Sequence, residues 1–201
     1  DDAARHALHI AEVYLLLMGE RFADLDAAIA TLEASAPPNA TPAMRQLVAG
    51  AHIIRGRTQD ALDLLARPVL VDDDLFVRSE DLAAMADGLR ALALTRAGRV
   101  REAEAIARAT HPRCLEVGAP RARAAAAYGL AMALLLRGDP AEALRWASDA
   151  VVAQDGVLAP NGLLMAHALG LEAAIALGDG ERTRIERSAL AGLADTHERL
   201  Y

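Results

Sequence analysis

The 201 residues carry 28 acidic against 21 basic side chains, a formal charge of -7, and every basic residue is Arg. Without Lys there is no phosphate-cradling GxxxxGK[ST] loop, no Schiff-base amine and no Ser-x-x-Lys acylation machinery, and the net negative charge opposes phosphate backbones, which excludes direct nucleic-acid binding by this domain alone. Hydrophobic residues make up 54% and aromatics only 3%, with Ala and Leu dominant, so the composition favours helices over sheets.

Helical patterning predicts elements at 2–18, 21–35, 41–55, 58–67, 79–97, 100–110, 119–137, 140–154, 160–177 and 181–199. Between the two members of each pair stands Gly followed by a polar residue: Gly19-Glu20, Gly56-Arg57, Gly98-Arg99, Gly138-Asp139 and Gly178-Asp179. These glycines are 37, 42, 40 and 40 residues apart. Gly ends a helix in the left-handed conformation without Cβ strain, so each one reads as a tight αα-turn, and the residue after it is expected to cap the next helix. Asp139-Pro140-Ala141-Glu142 shows this best, with an N-cap Asp, Pro at the first helical position and a Glu that can bond back. Ala61, Ala103 and Ala143 lie five residues after their Gly, and Ala49, Ala91 and Ala131 seven before it, where small side chains let helices approach.

Five hairpins follow, in units of approximately 1–37, 38–77, 78–118, 119–157 and 158–201. The phrase Leu136-Arg137-Gly138-Asp139-Pro140-Ala141-Glu142-Ala143-Leu144, with Ala147 and Ala150 after it, resembles a tetratricopeptide repeat. That resemblance implies an all-α, right-handed superhelix of about five antiparallel hairpins. The period near 40 in place of 34, the few inter-repeat prolines and the Ala/Arg-rich style are similar to the helical sensor region of MalT-like, LuxR-type transcription regulators, and the missing Lys suggests a GC-rich bacterial genome. In that family the solenoid receives an inducer or a partner protein. Because the sequence opens on Asp1-Asp2 without Met or a leader, it reads as a fragment of a longer protein.

Repeat geometry places groove-facing residues thirteen, ten, six and three positions before each turn Gly. The candidates are His6, His9, Val13 and Leu16; Ala43, Gln46, Gly50 and Ile53; Met85, Gly88, Leu92 and Thr95; Ala125, Tyr128, Met132 and Leu135; Met165, Ala168, Glu172 and Ile175. The face is apolar, Met-rich and nearly uncharged, which suits an apolar effector or an amphipathic partner helix and not a carboxylate clamp. Its alternative is burial as core by superhelical packing or a neighbouring domain.

The remaining features favour simple readings. His6, His9 and Glu12 share a helix face but lack the i, i+4 zincin spacing, so no metal and no cofactor is implied. His111-Pro112-Arg113-Cys114 brings a His near a thiol without fixing a catalytic geometry, and Pro112 is expected to end the sixth helix near Thr110. Asp72-Asp73-Asp74 lacks the turn Gly of a calcium loop and reads as linker. Arg182, Arg184 and Arg187 read as a solvated helix face or a docking edge. Cys114, the single cysteine, excludes an internal disulfide and suits the cytoplasm. The longest apolar run, 124–136, is too short to span a bilayer. The sequence thus reads as a non-catalytic sensor or protein-interaction domain. A stand-alone adaptor or an oligomerisation scaffold, without flanking modules and able to form a homodimer, is the alternative.

Overall fold

The computed structural model describes residues 9, 12, 13, 22–35, 42–66, 79–154 and 160–200. Among these there are nine helices and no strand: α1 (Phe22–Ser35), α2 (Pro42–Ile54), α3 (Thr58–Leu65), α4 (Ser79–Arg96), α5 (Val100–Val117), α6 (Pro120–Arg137), α7 (Pro140–Gln154), α8 (Pro160–Leu177) and α9 (Gly180–Leu200). The expected first helix, apart from His9, Glu12 and Val13, lies outside the described residues, as do the Gly19 turn and Asp72-Asp73-Asp74.

Four hairpins, α2/α3, α4/α5, α6/α7 and α8/α9, turn on Gly56, Gly98, Gly138 and Gly178, whose φ angles are 75°, 76°, 85° and 68°. Each turn closes the same way. The Gly138 N–H donates to the Leu135 carbonyl at 3.0 Å and the Asp139 N–H to Leu134 at 2.9 Å, a pairing repeated at the other three glycines. The Cβ-free residue thereby satisfies carbonyls that the helix end leaves bare.

Capping follows side-chain chemistry. Asp139 accepts from the Glu142 N–H at 3.1 Å and Asp179 from the Arg182 N–H at 2.9 Å, whereas Arg57 and Arg99 make no side-chain cap bond. A guanidinium has only donors and cannot accept an N–H. Nor does Glu142 bond back to Asp139, because its carboxylate accepts from Arg108 Nη2 at 2.7 Å and Trp146 Nε1 at 3.3 Å.

Pro112 does not end the sixth predicted helix. That helix, α5, runs on to Val117 and stops at Gly118, φ 72°. Thr110 and Cys114 on either side of the Pro are both 1% exposed, so core packing holds the helix through a residue that removes one backbone hydrogen bond.

Three kinds of contact stack the hairpins. Each second helix packs on the first helix of the next hairpin, α3 on α4, α5 on α6 and α7 on α8. First helices pack directly on one another, α2 on α4, α4 on α6 and α6 on α8. Second helices have no comparable backbone contact with one another and are tied by long side chains, with Arg108 of α5 on Glu142 of α7 at 2.7 Å and Arg182 of α9 on Ser148 of α7 at 2.8 Å. The closer row of first helices forms the inner face of the stack, and the second helices fan outside it.

Candidate functional site

The inner face depends on residues too small to keep helices apart. A Cβ on Gly88 of α4 would stand 3.0 Å from Ala125 Cβ and 3.2 Å from the Ala122 carbonyl oxygen, and one on Gly129 of α6 would stand 3.2 Å from the Leu92 nitrogen. Around them Ala91, Ala126, Ala127 and Ala131 are fully buried. Where larger residues return, a cleft of about 170 Å³ opens among four helices. Met85 and Leu92 of α4, Tyr128 of α6 and Met165 of α8 form its apolar wall. Arg121 at the start of α6 and Gln154 at the end of α7 supply its polar part. Ala124, Ala125, Ala150 and Gly162 complete the lining.

Its polar groups are in defined states. Burial pushes the Tyr128 hydroxyl above its usual range, against the opposing Arg96 guanidinium, so the phenol stays protonated and able to donate. Arg121 is exposed, and its guanidinium makes no ion pair among the described residues. The Gln154 side chain packs over Gly162, and its Oε1 is buried with no hydrogen-bond partner among the described residues. The α6 N-terminus beside Arg121 also lacks a side-chain cap.

The structure sorts the ten candidate groove residues into different surroundings. Met85, Leu92, Tyr128 and Met165 share the cleft. Gln46 is buried instead, donating from Nε2 to the Leu82 carbonyl at 2.5 Å and so tying α2 to α4. Met132 and Leu135 are half-buried against core residues such as Ala131 and Leu169. Glu172 is exposed and His9 half-buried, while His6 lies outside the described residues. Among the other positions of the same rule, Ile53 and Thr95 are buried core, and Thr95 Oγ1 donates to the Ala91 carbonyl at 2.9 Å. Met85, Ala125 and Met165 at thirteen positions before the turn, Tyr128 at ten and Leu92 at six line the cleft, whereas Gln46 at ten and Ile53 and Thr95 at three are buried between helices.

Sequence reasoning missed Arg121 and Gln154. Arg121 lies one helical repeat of seven before Tyr128, on the same stripe of α6, but the offsets began thirteen residues before Gly138. Gln154 sits on a second helix, which the rule left out. Extending the stripe by one heptad finds the first; only the packing of α7 against α8 reveals the second.

Other chemistry-bearing residues are engaged in holding the stack. His111 Nε2 pairs with Asp149 Oδ2 at 2.7 Å and its ring meets Trp146 edge-on at 4.7 Å, both on α7. Cys114 is buried with Ala84, Ala119 and Ala122, toward α4 and α6, so the two side chains of the His-Cys phrase face different elements. Arg182 is half-buried, not a solvated cation: with His167 it clamps Glu186, which is 2% exposed, at 2.6 Å each. Among the described residues no group of three or more His, Cys, Asp or Glu side chains is arranged to hold a metal, and no helix is long and apolar enough to cross a membrane.

No family model and no curated protein sequence matches the chain. A solved structure does: TPR-like repeats of a Podosopora anserina protein named as a kinesin light chain, with a TM-score of 0.55 at 19% identity, over 98% of this chain and 96% of the other. At that identity the likeness is one of fold. The chain is an all-α, tetratricopeptide-like helical repeat.

Proposed function

Proceeding from the tetratricopeptide-like fold, we propose that this chain is a non-catalytic interaction or sensor domain that receives an effector or a partner protein on its inner face. The observation that carries this reading is the cleft among α4, α6, α7 and α8, walled by Met85, Leu92, Tyr128 and Met165. Met side chains adapt to varied apolar shapes, and the packed first helices hold them in fixed register. The repeat style, with its long period and Ala/Arg-rich helices, supports placement within a bacterial LuxR-type regulator, acting in the cytoplasm, where the solenoid would pass ligand occupancy to neighbouring modules.

A second reading, an adaptor or self-associating scaffold, draws on a different feature. Leu136 and Ile175, at the turn ends of α6 and α8, are 63% and 54% exposed. Large apolar side chains left in water near the same edge favour cover by another copy or another protein.

Native mass measurement of the purified chain, before and after denaturation, tests both. Mass that leaves on denaturation and is smaller than a protein supports the sensor reading. A mass of twice the sequence supports the scaffold. A bare monomer that stays bare when mixed with the neighbouring modules of its own full-length protein counts against both.

A further inference from the structure

α8 has an apolar seam on the side turned away from α6. The α8 residues that join buried clusters with α6 are Ala166, Leu169 and Ala173. Leu164, Ala168, Leu171 and Ile175 lie nearly half a turn round the same helix, and none of those clusters takes them in. Nor does α9 cover them, since it meets α8 on a third face, where Glu186 reaches His167 and Gly170. Among these four, Leu164, Ala168 and Leu171 are half-buried and Ile175 is exposed. They follow one another at steps of four, three and four residues, the spacing of a seam along which two helices pair.

The stacking interface runs on to this face, yet the face does not suit another hairpin in the same register. α6 receives Ala166 and Leu169 of α8 against Ala127 and Ala131. Forty residues further on, those two positions hold His167 and Leu171, whose bulk keeps a following helix from the distance at which α8 sits on α6. A second copy meets no such obstacle. With α8 antiparallel to its partner about a two-fold axis midway between Ala168 and Leu171, Leu164 lies opposite the partner's Ile175. Ala168 then lies opposite the partner's Leu171, a small side chain facing a large one. The seam carries no charged residue, so two copies of net charge -7 bring no like charges together along it.

We infer that α8 pairs antiparallel with α8 of a second copy through Leu164, Ala168, Leu171 and Ile175, making a two-fold dimer. This inference rests on the proposed self-associating scaffold reading and gives it a surface and a symmetry. A two-fold contact uses the same patch on both copies, which is what the pairing of Leu164 with Ile175 and Ala168 with Leu171 provides. The seam runs for about 18 Å along α8, short of the roughly 20–30 residues a side of a standard interface, so the dimer is weak and forms with rising concentration.

Sedimentation of the full chain over a concentration series tests it, with a monomer–dimer midpoint expected at about 10–100 µM for an interface of this size. Leu171→Glu places a charge in the seam and is expected to raise the midpoint at least about tenfold. Ile175→Glu, at an exposed position that the monomer fold does not need, is expected to do the same and serves where Leu171→Glu fails to fold. Leu136→Glu, at an exposed apolar residue off the seam, is expected to leave the midpoint unchanged. The symmetry is read by mild oxidation of cysteine variants. The double variant Leu164→Cys/Ile175→Cys is expected to yield a disulfide-linked dimer and each single variant is not, with the native Cys114 buried and silent. Single variants that cross-link as well as the double one would overturn the two-fold pairing. A dimer that withstands Ile175→Glu but is lost in Leu136→Glu defeats this inference and leaves the scaffold reading standing. A chain that stays monomeric up to millimolar concentration defeats this inference and self-association together, and leaves the sensor reading standing.

Discussion

Single side chains settle how the outer helices are joined. Asp149 on α7 takes His111 from α5 and Arg123 from α6. Burial works to raise its carboxyl pKa, and the Arg123 and His111 hydrogen bonds outweigh it, holding the group below the usual range. A carboxylate with a lowered folded pKa contributes stability that is complete above its unfolded value, about 4, and is lost as pH falls through the folded value. Asp149→Asn is therefore expected to cost roughly 1–3 kcal/mol at pH 7, because the half-buried Arg123 loses its counter-charge. Urea denaturation of both proteins at pH 7 and below pH 3 checks it: the gap narrows at the acid end, and an equal gap at both would assign the loss to packing alone.

Helices approach one another here through what their sequences omit. Gly88 sits mid-helix, where Ala would gain up to about 1 kcal/mol of helix propensity. Its added Cβ would press on the Ala122 oxygen and Ala126 nitrogen at 3.2 and 3.3 Å. Backbone cannot swing aside like a flexible side chain, and overpacking of this kind costs about 1–3 kcal/mol. Gly88→Ala is thus expected to destabilise, whereas Gly50→Ala, with nothing within 4 Å of the new Cβ, is expected to stabilise by roughly 0.5–1 kcal/mol. Thermal melts of the two variants separate close approach from propensity by their opposite signs. Pro112 makes the converse point inside α5. It is exposed and withholds one N–H from the helix, so Pro112→Ala is expected to raise stability by about 1–2 kcal/mol, read as a higher melting temperature. A lower one would show that the helix needs the proline.

Across the whole molecule, stability is distributed along the stack, since each hairpin touches mainly its neighbours. α3 is only eight residues long and buries Ala61 and Leu62, whereas α6 has neighbours on both sides and buries nine residues, from Ala122 to Leu134. Amide exchange is therefore expected to be fastest in α3 and slowest in α6, by several orders of magnitude for a difference of a few kcal/mol in opening energy. Uniform exchange across the two helices would mean that the stack opens as one unit. The cleft is lined from α4, α6, α7 and α8, so its walls keep their register when the α2/α3 hairpin opens.

Local rules were enough to read much of this architecture in advance. Gly56, Gly98, Gly138 and Gly178 announced the turns because only a residue without Cβ takes positive φ cheaply, and the alanines spaced from them announced the close contacts, being fully buried at 49, 61, 91, 103, 131 and 143. Tertiary packing decided the rest. It carried α5 through Pro112, sent Gln46 into a helix-to-helix hydrogen bond, and divided one predicted stripe between core and cleft. It also brought Arg121 and Gln154 together from separate helices. Periodicity fixes which face of a helix a residue occupies, but how far that face lies from its neighbour depends on side chains distant in the chain, and that distance determines whether the face is buried or open.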